Sequence, residues 1–444
     1  MKTKMLMTAV ALTLAAPATA KITPVEAKMI ATIDADHEDA VALLERLVNQ
    51  NSGSLNLDGV EAVGRMMRAE IEPLGFIVTW TPMRDTKRAG HLTAVHKGKA
   101  GSKKLLLIGH LDTVFEKDSP FQRFVRKGDF AEGPGAGDDQ GGMVVMLSAL
   151  RAMKAVGRLK NANIEIALTG DEEDSGDPIE VARADLIAAG KRADVALDFE
   201  GLSVENGKDM GSIARRSSNS WTLTAKGKTG HSSLIFNSIF GDGAINEIAR
   251  IITRFRAELP EPNLTFNTGL IAGGQEVMLD KDGIRISAKG KTNIIPGTAI
   301  ARGDFRTLSE DQSERVRAKM AAIVADHAPG TSAAIEFERG GYPAMAPTDG
   351  NRALLARLNI INADLKLPEM AALDPLKRGA GDISFVAGDV DGLIGLGPSS
   401  TGDHAPGEMV DLNSMKRQSK RAAILMTRLS AERSAKTQAI LNRK

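Results

Sequence analysis

Histidine and aspartate stand two residues apart in the stretch GHLDTV, at His110 and Asp112, directly after the apolar run KKLLLI. Four more stretches carry groups of the same kind. Asp138 and Asp139 lie in GPGAGDDQGG, Glu172 and Glu173 in ALTGDEED, Glu200 in ALDFEG, and His404 in GLGPSSTGDHAPGE. The chain contains no cysteine and only seven histidines. Thiolate metal sites, disulfides and a cysteine nucleophile are thereby excluded. A set of imidazoles and carboxylates suits Zn²⁺, Mn²⁺ or Co²⁺. Two neutral imidazoles with several carboxylates can hold two ions, one carboxylate bridging them.

Each group also has a plain structural reading. His110 alone could be a satisfied histidine at a strand end. GAGDDQGG could be a phosphate loop or an ordinary turn, although two carboxylates repel a pyrophosphate and the spacing is not that of a dinucleotide loop. DEED could be a solvated acidic loop. His37 and His327 fall in charged helical stretches, and His91 and His96 flank what reads as an edge strand. The weight rests on the combination and on its placement.

That placement follows from the elements around the groups. Helical periodicity runs over 27–48 and 59–74, strand alternation over 75–81 and 91–96, and short apolar strands over 104–108, 164–168 and 195–199. Helices are expected at 142–156 and 181–189. Strands alternating with helices imply an α/β domain with a mostly parallel sheet. The five stretches all end or follow such strands, where open parallel sheets place their sites. From about 214 to 339 the pattern changes to β-α-β-β-α-β, a compact α+β insert with an antiparallel sheet. The α/β style returns at 340–444, with helices at 351–360 and 413–429 and a strand at 392–396.

The first twenty residues read as a cleavable export leader. They combine Lys2 and Lys4, an apolar run from Met5 to Ala15, and the small-x-small site Ala18-Thr19-Ala20. The run is too short to span a bilayer, so an exported protein is expected, in the periplasm. Charge is balanced, with 57 Lys+Arg against 56 Asp+Glu. That argues against a nucleic-acid or membrane-surface partner.

Taken in order, HLDTV, GPGAGDDQGG, GDEE, DFEG and GDHAPGE resemble the motifs of the M20 metallopeptidases, in particular the glutamate carboxypeptidases. The resemblance implies a zinc-peptidase-type catalytic domain at 21–213 and 340–444, interrupted by a smaller α+β lid that is also the dimerisation domain, at 214–339. It implies two Zn²⁺ per chain, with Co²⁺ or Mn²⁺ as substitutes. His110 and Glu200 would hold one ion, Glu173 and His404 the other, and Asp138 both. Asp112 would orient His110, Glu172 would be the general base, and a cis peptide is expected at Asp138–Asp139. His231 would enter the active site of a partner subunit in a homodimer. Asn293, Arg306 and Gly381, in the loop RGAGDIS with Gly379 and Asp382, would bind substrate, a peptide or N-acyl amino acid. The expected activity is carboxypeptidase-like cleavage of an amide next to a free carboxylate, release of a C-terminal glutamate being one form of it. An aminoacylase or dipeptidase with the same site is the alternative, and a silent periplasmic binding homologue the non-enzymatic one. Two positions depart from the pattern. Gln140 replaces the usual Lys of the acidic loop, and Tyr342 stands where the glutamate carboxypeptidases have an extra Arg before the Pro, Arg339 being the nearest cation.

Overall fold

The computed structural model describes residues 21–281 and 283–434. The leader read at 1–20 and the end of the charged tail lie outside them. Among the described residues no helix is long and apolar enough to cross a membrane.

Six strands make the main sheet, in the order Ile77–Pro82, Gly90–His96, Asn163–Thr169, Lys104–His110, Val195–Asp198 and Gly392–Leu393. The last three pairings are parallel and the first two antiparallel. Alternation along Lys104–His110 explains why this strand is central. Leu105 and Leu107 enter one core, with the helices Gln140–Ala155 and Leu412–Ser430. Leu106 and Ile108 enter a second core on the opposite face, with Leu186, Ala189 and Val386. A sheet covered on both faces leaves its strand ends as the places where polar side chains gather.

Several boundaries differ from the sequence reading. The first helix is two, Pro24–Ala35 and His37–Val48, because Asp36 leaves helical geometry at φ −90°, ψ 7°. The helix expected at 181–189 is also two, Ile179–Ala182 and Ala184–Arg192, broken at the fully buried Arg183. The strand with His91 and His96 is not an edge strand: it lies between Ile77–Pro82 and Asn163–Thr169. His91 is buried there and faces the carbonyl of Ala182 at 2.7 Å. A small four-stranded sheet, Ser400–Thr401, Met409–Asp411, Phe130–Glu132 and Val125–Lys127, was not legible, since its strands are only two or three residues long.

Between them, residues 219–337 build a second sheet, ordered Thr265–Gly274, Thr298–Arg306, Asn219–Gly227, Thr331–Phe337 and antiparallel throughout. Helices Ala244–Glu258 and Glu310–Ala325 cover one face. Trp221 and Phe255 meet edge-on at its centre, 5.8 Å between ring centroids. The chain enters and leaves this unit side by side, with Arg215 paired to Met345 and Ser218 to Tyr342.

Candidate active site

His110 is the last residue of the central strand and is buried. Its Nδ1 lies 3.0 Å from the backbone carbonyl of Asp112 and 3.4 Å from that residue's Oδ1. The ring is therefore aimed by the carbonyl at least as much as by the carboxylate. The Asp112 carboxylate does further work. It accepts the Ser54 hydroxyl at 2.6 Å and the backbone N–H groups of Glu172 and Glu173 at 3.0 and 3.1 Å. One buried carboxylate thus ties the end of the His110 strand to the loop after Asn163–Thr169.

Asp138 lies between the two histidines. Its Oδ1 faces His110 Nε2 at 3.0 Å and its Oδ2 faces His404 Nε2 at 3.1 Å. His404 also lies 3.3 Å from Glu173 Oε2. His110, Asp138 and Glu173 offer ligand atoms within 4.8 Å of one another. The peptide between Asp138 and Asp139 is cis. Glu408, in the same loop as His404, accepts the backbone N–H of Gly137 at 2.8 Å and that of Asp138 at 3.2 Å. The motif GDHAPGE contained this residue, but nothing in the sequence gave it that task.

Glu200 is placed differently. It is buried, and its Oε2 pairs with Arg215 Nη1 at 2.5 Å. Gly381 packs against that pair: a Cβ there would come within 2.0 Å of Arg215 Nη1 and 2.8 Å of Glu200 Oε1, so any side chain would displace the pair. Glu200 is close enough to help push the Glu172 carboxyl well above its usual range, burial being the larger cause. Burial likewise raises Asp139 and Glu173. Asp138 is held well below its ordinary value against its burial, by His110 and His404. Asp138 and Glu173 in turn push His404 up to about 11. His110 is raised despite burial, through Asp112 and Asp138.

These groups fit divalent cations. Their imidazole and carboxylate atoms, 3.0 to 3.3 Å apart, form the donor set such a cation takes. Glu173 Oε1 and Asp139 Oδ1 are buried with no hydrogen-bond partner, the condition expected of oxygens whose counter-charge is not a protein group.

Arg183, Ser54 and Tyr342 support the site and were missed as functional positions. Arg183 binds the carboxylates of Asp171 and Asp382 and donates to the Tyr342 hydroxyl at 2.8 Å. The Tyr342 hydroxyl in turn donates to the carbonyl of Glu172 at 2.9 Å. Gln140, the other departure, donates to Leu111 O at 3.2 Å and to Ser52. The remaining expected residues lie on the second sheet's unit. His231 and Asn293 are both exposed and adjoin through the Ser232 N–H to Asn293 O bond of 2.9 Å. Arg306 pairs with Asp304 at 3.2 Å and approaches Gly379.

The sequence profile of peptidase family M20/M25/M40 matches residues 106–428. The chain belongs to that family. It is 30% identical to carboxypeptidase G2 of Pseudomonas sp. (strain RS-16) over 278 residues, 61% of this chain and 60% of that one. The chain thus matches less than two thirds of that relative's length. It is 27% identical to the succinyl-diaminopimelate desuccinylase of Leptothrix cholodnii, over 69% of this chain and 78% of that one. Among solved structures it shares the fold of a dinuclear metal-binding M20 peptidase of Bacillus subtilis, with a TM-score of 0.61 and 16% identity over 89% of this chain and 99% of that one. This M20 protein is thus a member of a metallohydrolase family whose relatives include carboxypeptidases and amidohydrolases.

Proposed function

We propose that this M20 protein is an exported, dinuclear zinc-dependent hydrolase that cleaves an amide next to a free carboxylate. The observation that carries the reading is Asp138, whose two oxygens each face a different histidine. In this reading His110, Glu200, Glu173, His404 and Asp138 would hold the ions, Asp138 serving both. Glu200 would share its carboxylate between Arg215 and an ion. When bound, two divalent cations lower the pKa of a water and polarise the amide carbonyl.

The chain's own groups do the rest. Asp112 fixes the His110 ring and the backbone that presents Glu172 and Glu173. Glu172 takes the proton of the attacking water and delivers it to the leaving amine. His231, supplied by a second copy of the chain, donates to the oxygen that gains charge. Arg306 pairs with the substrate carboxylate, and Asn293 and Gly381 line its place. Residues 214–339 act as lid and dimer surface, and residues 1–20 direct export to the periplasm.

Hydrolysis of an N-acyl amino acid or dipeptide is the second reading. One observation favours it over release of C-terminal glutamate: Tyr342 supplies no cation where the carboxypeptidase pattern has one, its hydroxyl being used by Glu172 O and Arg183. The silent-homologue alternative is disfavoured because Glu172 and every proposed ligand are present. The test is metal analysis of the purified protein with a panel of N-acyl amino acids and dipeptides, repeated for Glu172→Gln. Two ions per chain, with hydrolysis lost in the variant, are expected. A wild type without metal, or unchanged hydrolysis in the variant, would sink the reading.

A further inference from the structure

Two short stretches join the second unit to the rest of the chain, and each sends a side chain to the centre. They pair as Arg215 with Met345 and Ser218 with Tyr342, the Ser218 N–H donating to Tyr342 O at 2.9 Å. These stretches form the hinge of the unit. From the first, Arg215 ion-pairs with Glu200. From the second, the Tyr342 hydroxyl donates to Glu172 O at 2.9 Å. A phenol has one proton to give. With that proton spent on Glu172 O, the Tyr342 oxygen accepts from Arg183 Nη2 at 2.8 Å and from the Ser175 hydroxyl at 2.9 Å.

The carbonyl held in this way belongs to the peptide between Glu172 and Glu173. The N–H of the same peptide donates to Asp112 Oδ2 at 3.1 Å. One peptide plane is thus clamped at both polar ends, with the proposed base on one side and a proposed ligand on the other. Asp112 clamps it from the main sheet, and Tyr342 clamps it from the hinge. A proton carrier displaced by about 1 Å loses rate, because the reacting atoms no longer align. The Tyr342 ring is fixed separately from its hydroxyl. It meets the Phe385 ring at 4.9 Å between centroids, and the Arg183 guanidinium lies 5.7 Å from its centre. The hinge is tied to the second unit by Ser217, next to the Ser218 pairing. The Ser217 hydroxyl is buried and accepts the Thr307 N–H at 2.9 Å and Asn219 Nδ2 at 2.8 Å. Both partners belong to the second unit.

We propose that Tyr342 is a positioning residue for Glu172, and that it passes the placement of the second unit on its hinge to the base. The inference rests on the hydrolase reading above and adds to it a control of turnover. Tyr342→Phe removes the hydroxyl and keeps the ring. In the metal-loaded protein, on the best substrate of the N-acyl amino acid and dipeptide panel, kcat should fall roughly 3- to 10-fold, the range for one neutral hydrogen bond. KM should stay within about twofold and metal content should not change. A role in packing alone would lower the melting temperature and leave kcat as it is. Ser217→Ala loosens the second unit on the hinge and should lower kcat by a similar factor. In a Tyr342→Phe background the same change should add almost nothing, the mark of two groups acting through one path. An unchanged kcat in either single variant, or effects that multiply in the double variant, overturns the proposal.

Amide hydrogen exchange over residues 170–176, read by mass spectrometry, separates this failure from that of the hydrolase reading. Exchange there should quicken in Tyr342→Phe and in Ser217→Ala, with no further gain in the double variant. That pattern without cleavage of any substrate would retain the tie between hinge and loop and reject the hydrolase. Cleavage with exchange unchanged in both variants would do the reverse, and neither result would reject both.

Discussion

The ends of the six-stranded sheet, and the loops and strand end beside the two inner strands of the sheet at 219–337, carry the two halves of the proposed site, and they are built differently. At the sheet end each chemical group has several partners. Asp112 alone receives three donors, and Glu408 fixes the backbone at Gly137 and Asp138. On the other unit the scaffold is just as well packed, with Trp221, Phe255 and Phe305 fully buried. Its candidate side chains are not so held. His231 is exposed and, among the described residues, bonds its near neighbour Ser233 alone, through Oγ at 2.8 Å and the backbone N–H at 3.3 Å, and Arg306 has one ion pair, with Asp304. The first half draws these supports from one chain. The second has the form of a surface that acquires its partners when substrate or another copy arrives.

The sharpest way to break this contrast is Glu172→Gln, which removes the proton carrier while leaving the backbone bonds to Asp112 intact. Hydrolysis should fall on the order of 10³-fold, as expected for loss of a general base, with metal content unchanged. Metal loss instead would mean that Glu172 is a ligand and that the base lies elsewhere. On the other unit His231→Ala should lower kcat by roughly 10²-fold, the scale for one donor to a developing oxyanion. Metal content and melting temperature should match the wild type. If metal were lost, His231 would belong to the first half and the comparison would fail.

A smaller effect is expected at Asp112→Ala. Its partners Ser54 Oγ and the two N–H groups would lose a common acceptor, and His110 would lose part of its support. Metal affinity should weaken roughly tenfold, at the lower end of what such supporting groups contribute. A titration with a competing chelator measures it. An unchanged affinity would leave the Asp112 carbonyl, not the carboxylate, as the group that matters.

How much of this was readable in advance follows the same division. Strands ending in chemistry were legible because an apolar run, a turn and a polar residue are adjacent in sequence, as in KKLLLIGH. The β-α-β-β-α-β insert was legible by periodicity. The supports were not. Arg183 lies in VARADL and reads as one more helical position, yet it breaks the helix to reach Asp171 and Asp382. Ser54, Arg215 and Arg378 have no local signature, since each acts on a group 15 to 178 positions away, a pairing that only tertiary structure creates. Glu200 carries the same lesson in reverse. Its strand end was recognised, but its pairing with Arg215 could not be.

The two regions should also answer pH in opposite directions. Around the centre, burial pushes Glu408 up to about 8, and burial with Glu200 pushes Asp198 to about 7. A carboxyl whose folded pKa lies above its unfolded value costs stability as pH rises from the unfolded value to the folded one, because over that span the unfolded chain ionises and the folded chain does not. Metal-free protein should therefore lose stability as pH rises from the ordinary carboxyl range to about 7 to 8, and cations should offset that loss. Glu247, in the helix Ala244–Glu258, is the converse case. Burial raises its pKa, but Arg250 and the Ala328 N–H outweigh it and hold the carboxyl below its usual 4.5. Its contribution is present above that value and lost as pH falls through the lowered one. Melting temperatures of loaded and chelated protein, taken from about pH 4 to about pH 8.5, should thus diverge toward the alkaline end and fall together toward the acid end. Glu247→Gln should flatten only the acid limb. A gap between loaded and chelated protein that narrows as pH rises would contradict the crowding of carboxylates at the sheet ends.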